Sequence, residues 1–311
     1  MKNTDPSALL PLFLQYCAVE RNLSRLTIRD YQHYLTRFTD WCESQEIVDI
    51  KQFSMDDLRN YRLYLSRFAS TEGKILSKTT QSYHIIGLRS FLKWLIKQDV
   101  EVLAPEKIEL PKTESRSMKF LSFEQVERLL SQPDLSAKTG LRDKVILELL
   151  FSTGLRVSEL VSINRSQLDL KRREFGVIGK GRKPRVVFLS QRATDWLERY
   201  LATRQDTWEP VFIRYSRDQS PEQDFGEKMR LTVRSVQRIV DKYAKYAKLP
   251  IKISPHGIRH SFATDLLKNG AGLRDVQEML GHKNVSTTQI YTHVTNPQLR
   301  EIHEKFHRKT A

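Results

Sequence analysis

The stretch EFGVIGKGRKPRVVFLS, residues 174–190, constrains the fold more than any other segment. Two arms rich in β-branched and aromatic residues flank Gly-Lys-Gly-Arg-Lys-Pro, a pattern that predicts a β-hairpin with a strongly basic turn. The segments around it carry apolar residues at three-and-four spacing, the signature of helices with one buried face. One hairpin among helices supports only a small sheet. The expected fold class is therefore mainly α: a helical domain, and a mixed α/β domain holding the hairpin.

The helical segments sort into two groups. Residues 7–22, 24–45, 54–68 and 77–98 each read as a helix, with Ser24 as an N-cap and Ser54 with Asp57 as a capping pair. The composition then shifts. APEKIELPKTESRSMKF holds Pro105, Pro111 and many charges but few core residues, so it reads as an extended linker. A second group starts at LSFEQVERLLS, where Ser122 and Gln125 form a capping box. It continues through helices at 140–154 and 156–163 to NPQLREIHEKFH, where Asn296 caps and Pro297 takes the first helical position. The expected organisation is a helical domain over residues 1–104, a linker over 105–119 and a second domain over 120–311.

Charge indicates the partner. The chain carries 52 Lys and Arg against 37 Asp and Glu, a net +15. Residues 1–113 hold 16 basic and 14 acidic residues, so about +13 of that charge belongs to the remainder. A field this positive attracts a polyanion, and nucleic acid is the expected partner. Two modules joined by a linker can close around a duplex, because the tether raises each module's effective concentration for the other. No run of about 18 apolar residues predicts a membrane span, and the N-terminus lacks a basic-then-apolar signal pattern. Cys17 and Cys42 sit in helical patterns. They read as buried free thiols rather than a disulfide or metal pair, which points to a reducing cytoplasm.

SPHGIRHSFATDLLKNG places His256 and His260 four residues apart. That is metal-ligand spacing, but a zinc-protease helix needs a glutamate directly after the first histidine, and Gly257 stands there. The better reading is a helix start with Ser254 as cap and Pro255 in the first turn, where His256 and Arg259 share a face suited to a phosphate. His260 is expected to be a packed histidine. TGLRVSEL adds Arg156 after a helix stop at Gly154, and LGHKNVSTTQIYTH adds His282 and Tyr291. The hairpin turn offers Lys180, with Arg182, Lys183 and Arg185 as competing basic residues.

In this order TGLRVSEL, VIGKGRKPRVVFL, HGIRHSFATDLL and LGHKNVSTTQIYTH resemble the motifs of the tyrosine recombinases, or phage integrase family. RNLSRLTIRDYQHYLTRF resembles that family's core-binding domain, so the resemblance covers nearly the whole chain. Within the family the chain is most similar to the Xer recombinases, the XerD branch before XerC. One departure is RYSRDQSPEQDFGEKMRLT, residues 214–232, which is longer and more polar than the usual connection.

The resemblance implies site-specific DNA strand exchange through a 3′-phosphotyrosyl intermediate and a Holliday junction. Tyr291 would be the nucleophile, Arg156 and Arg259 the phosphate clamp, His256 the general base and His282 a donor to a phosphate oxygen. Lys180 would protonate the leaving 5′ oxygen, with Arg182, Lys183 and Arg185 as DNA contacts. Glu159 either orients Arg156 or is an ordinary helix carboxylate. No cofactor or metal is expected: the sequence has no G-x-x-x-x-G-K-[ST] loop and no acidic cluster suited to magnesium. The implied partners are double-stranded DNA with inverted half-sites, a homo- or hetero-tetramer on two sites, a second Xer recombinase and a septal DNA translocase. The setting would be the cytoplasm, at the nucleoid. The tail helix, with Leu299, Ile302 and Phe306 as its apolar stripe, packs either on its own domain or on a neighbouring protomer. Chromosome or plasmid dimer resolution is the leading role. An integrase or transposase of a mobile element, a topoisomerase, and a non-catalytic architectural DNA-binding protein are the alternatives.

Overall fold

The computed structural model describes residues 4–69, 73–110, 119–137, 139–179, 184–215 and 225–281. The chain divides into two compact units, Met1–Arg116 and Ser117–Ala311.

The first unit contains α1 (Pro6–Val19), α2 (Arg25–Ser44), α3 (Met55–Arg67) and α4 (Lys78–Lys97). Polar caps set each start. Ser24 accepts from the Thr27 N–H, Ser54 and Asp57 close a reciprocal capping box, and Ser77 accepts from the Thr80 N–H. The buried faces of these helices meet in an aromatic core in which Phe13 stands edge-on to Phe91 at 5.4 Å and Phe38 edge-on to Tyr61 at 5.2 Å. Cys17 and Cys42 are buried free thiols of this core, and burial pushes the Cys42 thiol up to about 12. The start of the expected linker belongs to this unit. Pro105–Lys107 form a 3-10 turn, Ile108 is buried in the core, and Arg89 Nε donates to the Pro105 carbonyl at 3.1 Å. Buried Pro105 and Ile108, with the Pro105 and Glu109 carbonyls accepting from Arg89 and Arg62, hold a stretch whose composition is otherwise that of a linker.

The second unit contains α5 (Phe123–Leu130), α6 (Gly140–Thr153), α7 (Val157–Val161), β1 (Leu168–Asp169), β2 (Glu174–Ile178), β3 (Pro184–Phe188), α8 (Gln191–Ala202), α9 (Val233–Tyr246), α10 (Pro255–Lys268) and α11 (Leu273–Leu280). The strands form one antiparallel sheet in the order β1-β2-β3, with Phe175 opposite Val187 and Val177 opposite Arg185. The expected hairpin is present; its turn, residues 180–183, lies outside the described residues. β1 is an addition that the sequence pattern did not reveal.

α6 is the axis of this unit. It packs against α5, α7, α8, α9, α10 and β3, and it is buried around its whole circumference. Its charged residues are therefore inside, in pairs: Arg142 with Asp143 at 2.7 Å, and Lys144 with Glu148 at 2.8 Å, with Arg192 reaching Glu148 from α8. Part of the long polar connection is also anchored. Arg230 donates to the carbonyls of Val161 and Ile163, while residues 216–224 lie outside the described set. Among the described residues no helix is long and apolar enough to cross a membrane.

Candidate active site

The site grows from the end of α6. Gly154 terminates that helix in the left-handed conformation, φ +58°, which a glycine adopts without strain. Space demands glycine as well: a Cβ there would lie 2.3 Å from Phe262 Cδ1. Two residues later Arg156 is extended and forms the N-cap of α7. Glu159, one turn into α7, reaches back and accepts from the Arg156 backbone N–H at 2.9 Å.

The same carboxylate binds two guanidiniums. Oε1 accepts from Arg156 Nη1 at 2.8 Å and from Arg185 Nη1 at 2.9 Å; Oε2 accepts from Arg185 Nη2 at 2.8 Å. Glu159 is 5% exposed. Burial by itself would raise its pKa, but the bonds from Arg185 and Arg156 outweigh burial and hold the carboxyl at about 2. Arg156 also reaches the Gly281 carbonyl, Nη2 to O at 3.4 Å.

Arg259 rises from the first turns of α10, which Ser254 caps by accepting from the Gly257 N–H. Its side chain is not displayed beside His256 on an open face, as the i, i+3 spacing suggested. Arg259 is 2% exposed, and its two terminal nitrogens donate to Gly154 O at 2.7 Å and to Leu280 O at 2.6 Å. Those carbonyls stand at the C-terminal ends of α6 and α11, both closed by left-handed glycines, Gly154 and Gly281. His256 stays exposed at the helix start. Partial withdrawal from water, then the nearby Arg259 and Arg156 charges, lower its pKa below the ordinary histidine value. His260 is buried, as a packed histidine, and its ring meets the His256 ring edge-on at 4.3 Å.

Arg156, Glu159, Arg185, His256 and Arg259 are thus described, whereas Lys180, Arg182, Lys183, His282 and Tyr291 lie outside the described residues. Arg185 corrects one expectation. It is not an exposed member of the basic turn: its side chain is 11% exposed and both terminal nitrogens are bound to Glu159. β3 pairs Arg185 with Val177, and the side chain faces inward from that register. The sequence reading also missed the carbonyls of Gly154 and Leu280 as seats for Arg259. The available signal was the Thr-Gly and Leu-Gly helix ends.

Two guanidiniums, one braced by a carboxylate and one seated on two helix ends, beside a histidine held neutral, form a cluster suited to a phosphate and to proton transfer. Residues 119–297 match the Phage integrase family, and residues 10–99 match the Phage integrase, N-terminal SAM-like domain. The chain is 39% identical over 302 residues to tyrosine recombinase XerD of Listeria monocytogenes serovar 1/2a, covering 96% of this chain and 98% of that protein. It is 37% identical over 309 residues to tyrosine recombinase XerC of Thermodesulfovibrio yellowstonii, covering 98% and 97%. Among solved structures, the fold resembles XerH recombinase bound to difH substrate before cleavage, with a TM-score of 0.68 and 22% identity over 95% of this chain and 83% of that one. It also resembles the Tn1549 transposon integrase bound to transposon right end DNA, with a TM-score of 0.73 and 19% identity over 96% and 99%. The chain belongs to the phage integrase family, as a Xer-type tyrosine site-specific recombinase that acts on DNA.

Proposed function

We propose that this chain exchanges strands between two copies of a DNA site with inverted half-sites, and that Arg156, Lys180, His256, Arg259, His282 and Tyr291 carry the chemistry. The observation that supports this most is the pair Arg156 and Arg259, the first fixed by Glu159 and the second by the Gly154 and Leu280 carbonyls. The Tyr291 oxygen attacks the phosphorus, the bond to the 5′ oxygen breaks, and a 3′-phosphotyrosyl ester remains. His256 takes the phenolic proton. A pKa below the ordinary histidine value leaves it neutral at pH 7, the form that accepts a proton. Lys180 gives a proton to the leaving oxygen, and His282 donates to a nonbridging oxygen. Charge gathers on those oxygens in the transition state, and two planar guanidiniums neutralise it by bidentate bonds that lysine cannot form. Losing either arginine would cost on the order of 10²–10⁴ in rate.

Arg182 and Lys183 serve as phosphate contacts from the hairpin turn. Residues 296–307 lie outside the described residues; read from their sequence as a tail helix, they dock into a neighbouring protomer through Leu299, Ile302 and Phe306, so that four protomers close a ring on two sites and the DNA passes through a Holliday junction. The role is resolution of chromosome or plasmid dimers in the cytoplasm, with a second Xer recombinase and a septal translocase as partners. The longer 214–232 connection favours a second reading, a mobile-element integrase.

A nicked suicide duplex carrying the cognate site tests the chemistry. The native chain is expected to form a covalent adduct equally well in EDTA, and Tyr291→Phe to form none while binding the duplex nearly as tightly. Adduct at native yield from Tyr291→Phe would sink the assignment.

A further inference from the structure

We propose that Arg185 is a positioning residue for cleavage, acting through Glu159 on Arg156, and not a DNA contact. The inference rests on the reading of Arg156 as part of the phosphate clamp. Each oxygen of the Glu159 carboxylate receives two donors: Oε1 from Arg156 Nη1 and Arg185 Nη1, and Oε2 from the Arg156 backbone N–H and Arg185 Nη2. The carboxylate is therefore saturated and cannot rotate without breaking several charge-assisted bonds. Arg156 alone would leave half of its acceptor positions open in a buried place, where an unmet carboxylate is costly. Arg185 fills them with a planar fork of matching spacing.

The charges add a second effect. One carboxylate is shared by two guanidiniums, so the cluster keeps a net positive charge, and Glu159 holds Arg156 in place without cancelling its attraction for a phosphate. Arg185 also touches the other side of the site. A Cβ at Gly281 would lie 3.2 Å from Arg185 Cδ and 3.4 Å from its Nε and Nη1, and the Gly281 carbonyl is the acceptor for Arg156 Nη2. One side chain from β3 thus fixes the carboxylate on α7 and packs against the glycine that ends α11. The paired register of Val177 with Arg185 transmits the position of the hairpin to the clamp.

The test compares Arg185→Met and Arg185→Lys with the native chain, in cleavage of the suicide duplex at saturating enzyme, in DNA binding across salt concentrations, and in cleavage across pH. Arg185→Met is expected to cleave about 10–100-fold more slowly, a loss of orientation rather than of the clamp itself. Its DNA affinity and salt slope should stay those of the native chain. Arg185→Lys should recover part of the rate, because it restores the charge without the fork. The pH profile should change form. Glu159 loses two donors in Arg185→Met but stays buried, so its carboxyl titrates at higher pH and adds a second acid loss of cleavage to the limb that protonation of His256 gives both chains. A salt slope reduced by about 1 with an unchanged cleavage rate would mark Arg185 as a phosphate contact and overturn the proposal. An unchanged rate and pH profile in both variants would overturn it as well. If Arg185→Met fails to fold, Arg185→Lys decides: native cleavage and a native acid profile from it overturn the proposal. Absence of adduct from the native chain would instead strike at the reading of the clamp.

Discussion

At the scale of single residues, the site depends on atoms that a motif scan passes over. Gly154 has three roles: it ends α6, admits the Phe262 ring, and presents its carbonyl to Arg259. Gly154→Ala should destabilise the protein by about 1–2 kcal/mol for a left-handed alanine, and by about 1–3 kcal/mol more for the crowding against Phe262. Urea denaturation midpoints would report that loss. Suicide-duplex cleavage by the folded fraction should fall too, because the Arg259 seat moves. Several parts of the site were legible from short strings. The helix start at Ser254–Pro255 and Arg156 just beyond a helix end are local in sequence, as are the Ser24, Ser54 and Ser122 caps elsewhere in the fold, since a cap bonds only two or three residues away. The Arg185–Glu159 pair spans 26 residues and two kinds of element, and no period or spacing encodes it.

At the scale of elements, α6 illustrates the limit of pattern reading. GLRDKVILELLFSTG reads as a helix, and the helix is there, but its charged residues do not form an exposed face. Its charges are buried because neighbouring helices bring partners: Arg192 of α8 meets Glu148, and the Tyr243 hydroxyl of α9 donates to Asp143 at 3.1 Å. Glu148→Ala would leave Lys144 buried without its ion partner, and breaking such a pair from one side costs about 3–5 kcal/mol. A large drop in the urea midpoint is expected, whereas a shift below about 1 kcal/mol would mean that Lys144 relaxes outward to water. β1 escaped notice for a related reason. Two residues have no periodicity, and Leu168–Asp169 becomes a strand only because β2 lies alongside.

At the scale of the whole molecule, the uneven charge predicts how binding responds to salt. The half of the chain that holds the hairpin and the arginines carries nearly all of the net +15. Binding that neutralises 6–10 phosphates should weaken by about 10³–10⁵ between 50 and 200 mM salt, with log affinity linear in log salt. Filter binding or fluorescence anisotropy would measure that slope, and a nearly flat line would mean that the positive field is not what holds DNA. The division into a helical unit and a unit with one small sheet was also legible, because the change in composition after Leu103 and the lone hairpin are long-range features written in consecutive residues.

The two clamp arginines are held by different kinds of partner. The Glu159 carboxylate can in principle be protonated, so acid can loosen its grip on Arg156. Peptide oxygens have no proton to gain in any ordinary buffer, and the bonds from Arg259 to Gly154 and Leu280 therefore tie that side chain equally well at every pH the fold survives. A peptide oxygen is the end of a dipole and not an ion, so this tether puts no formal negative charge beside the guanidinium it positions, and the partial charge of the two helix ends offsets only part of its field.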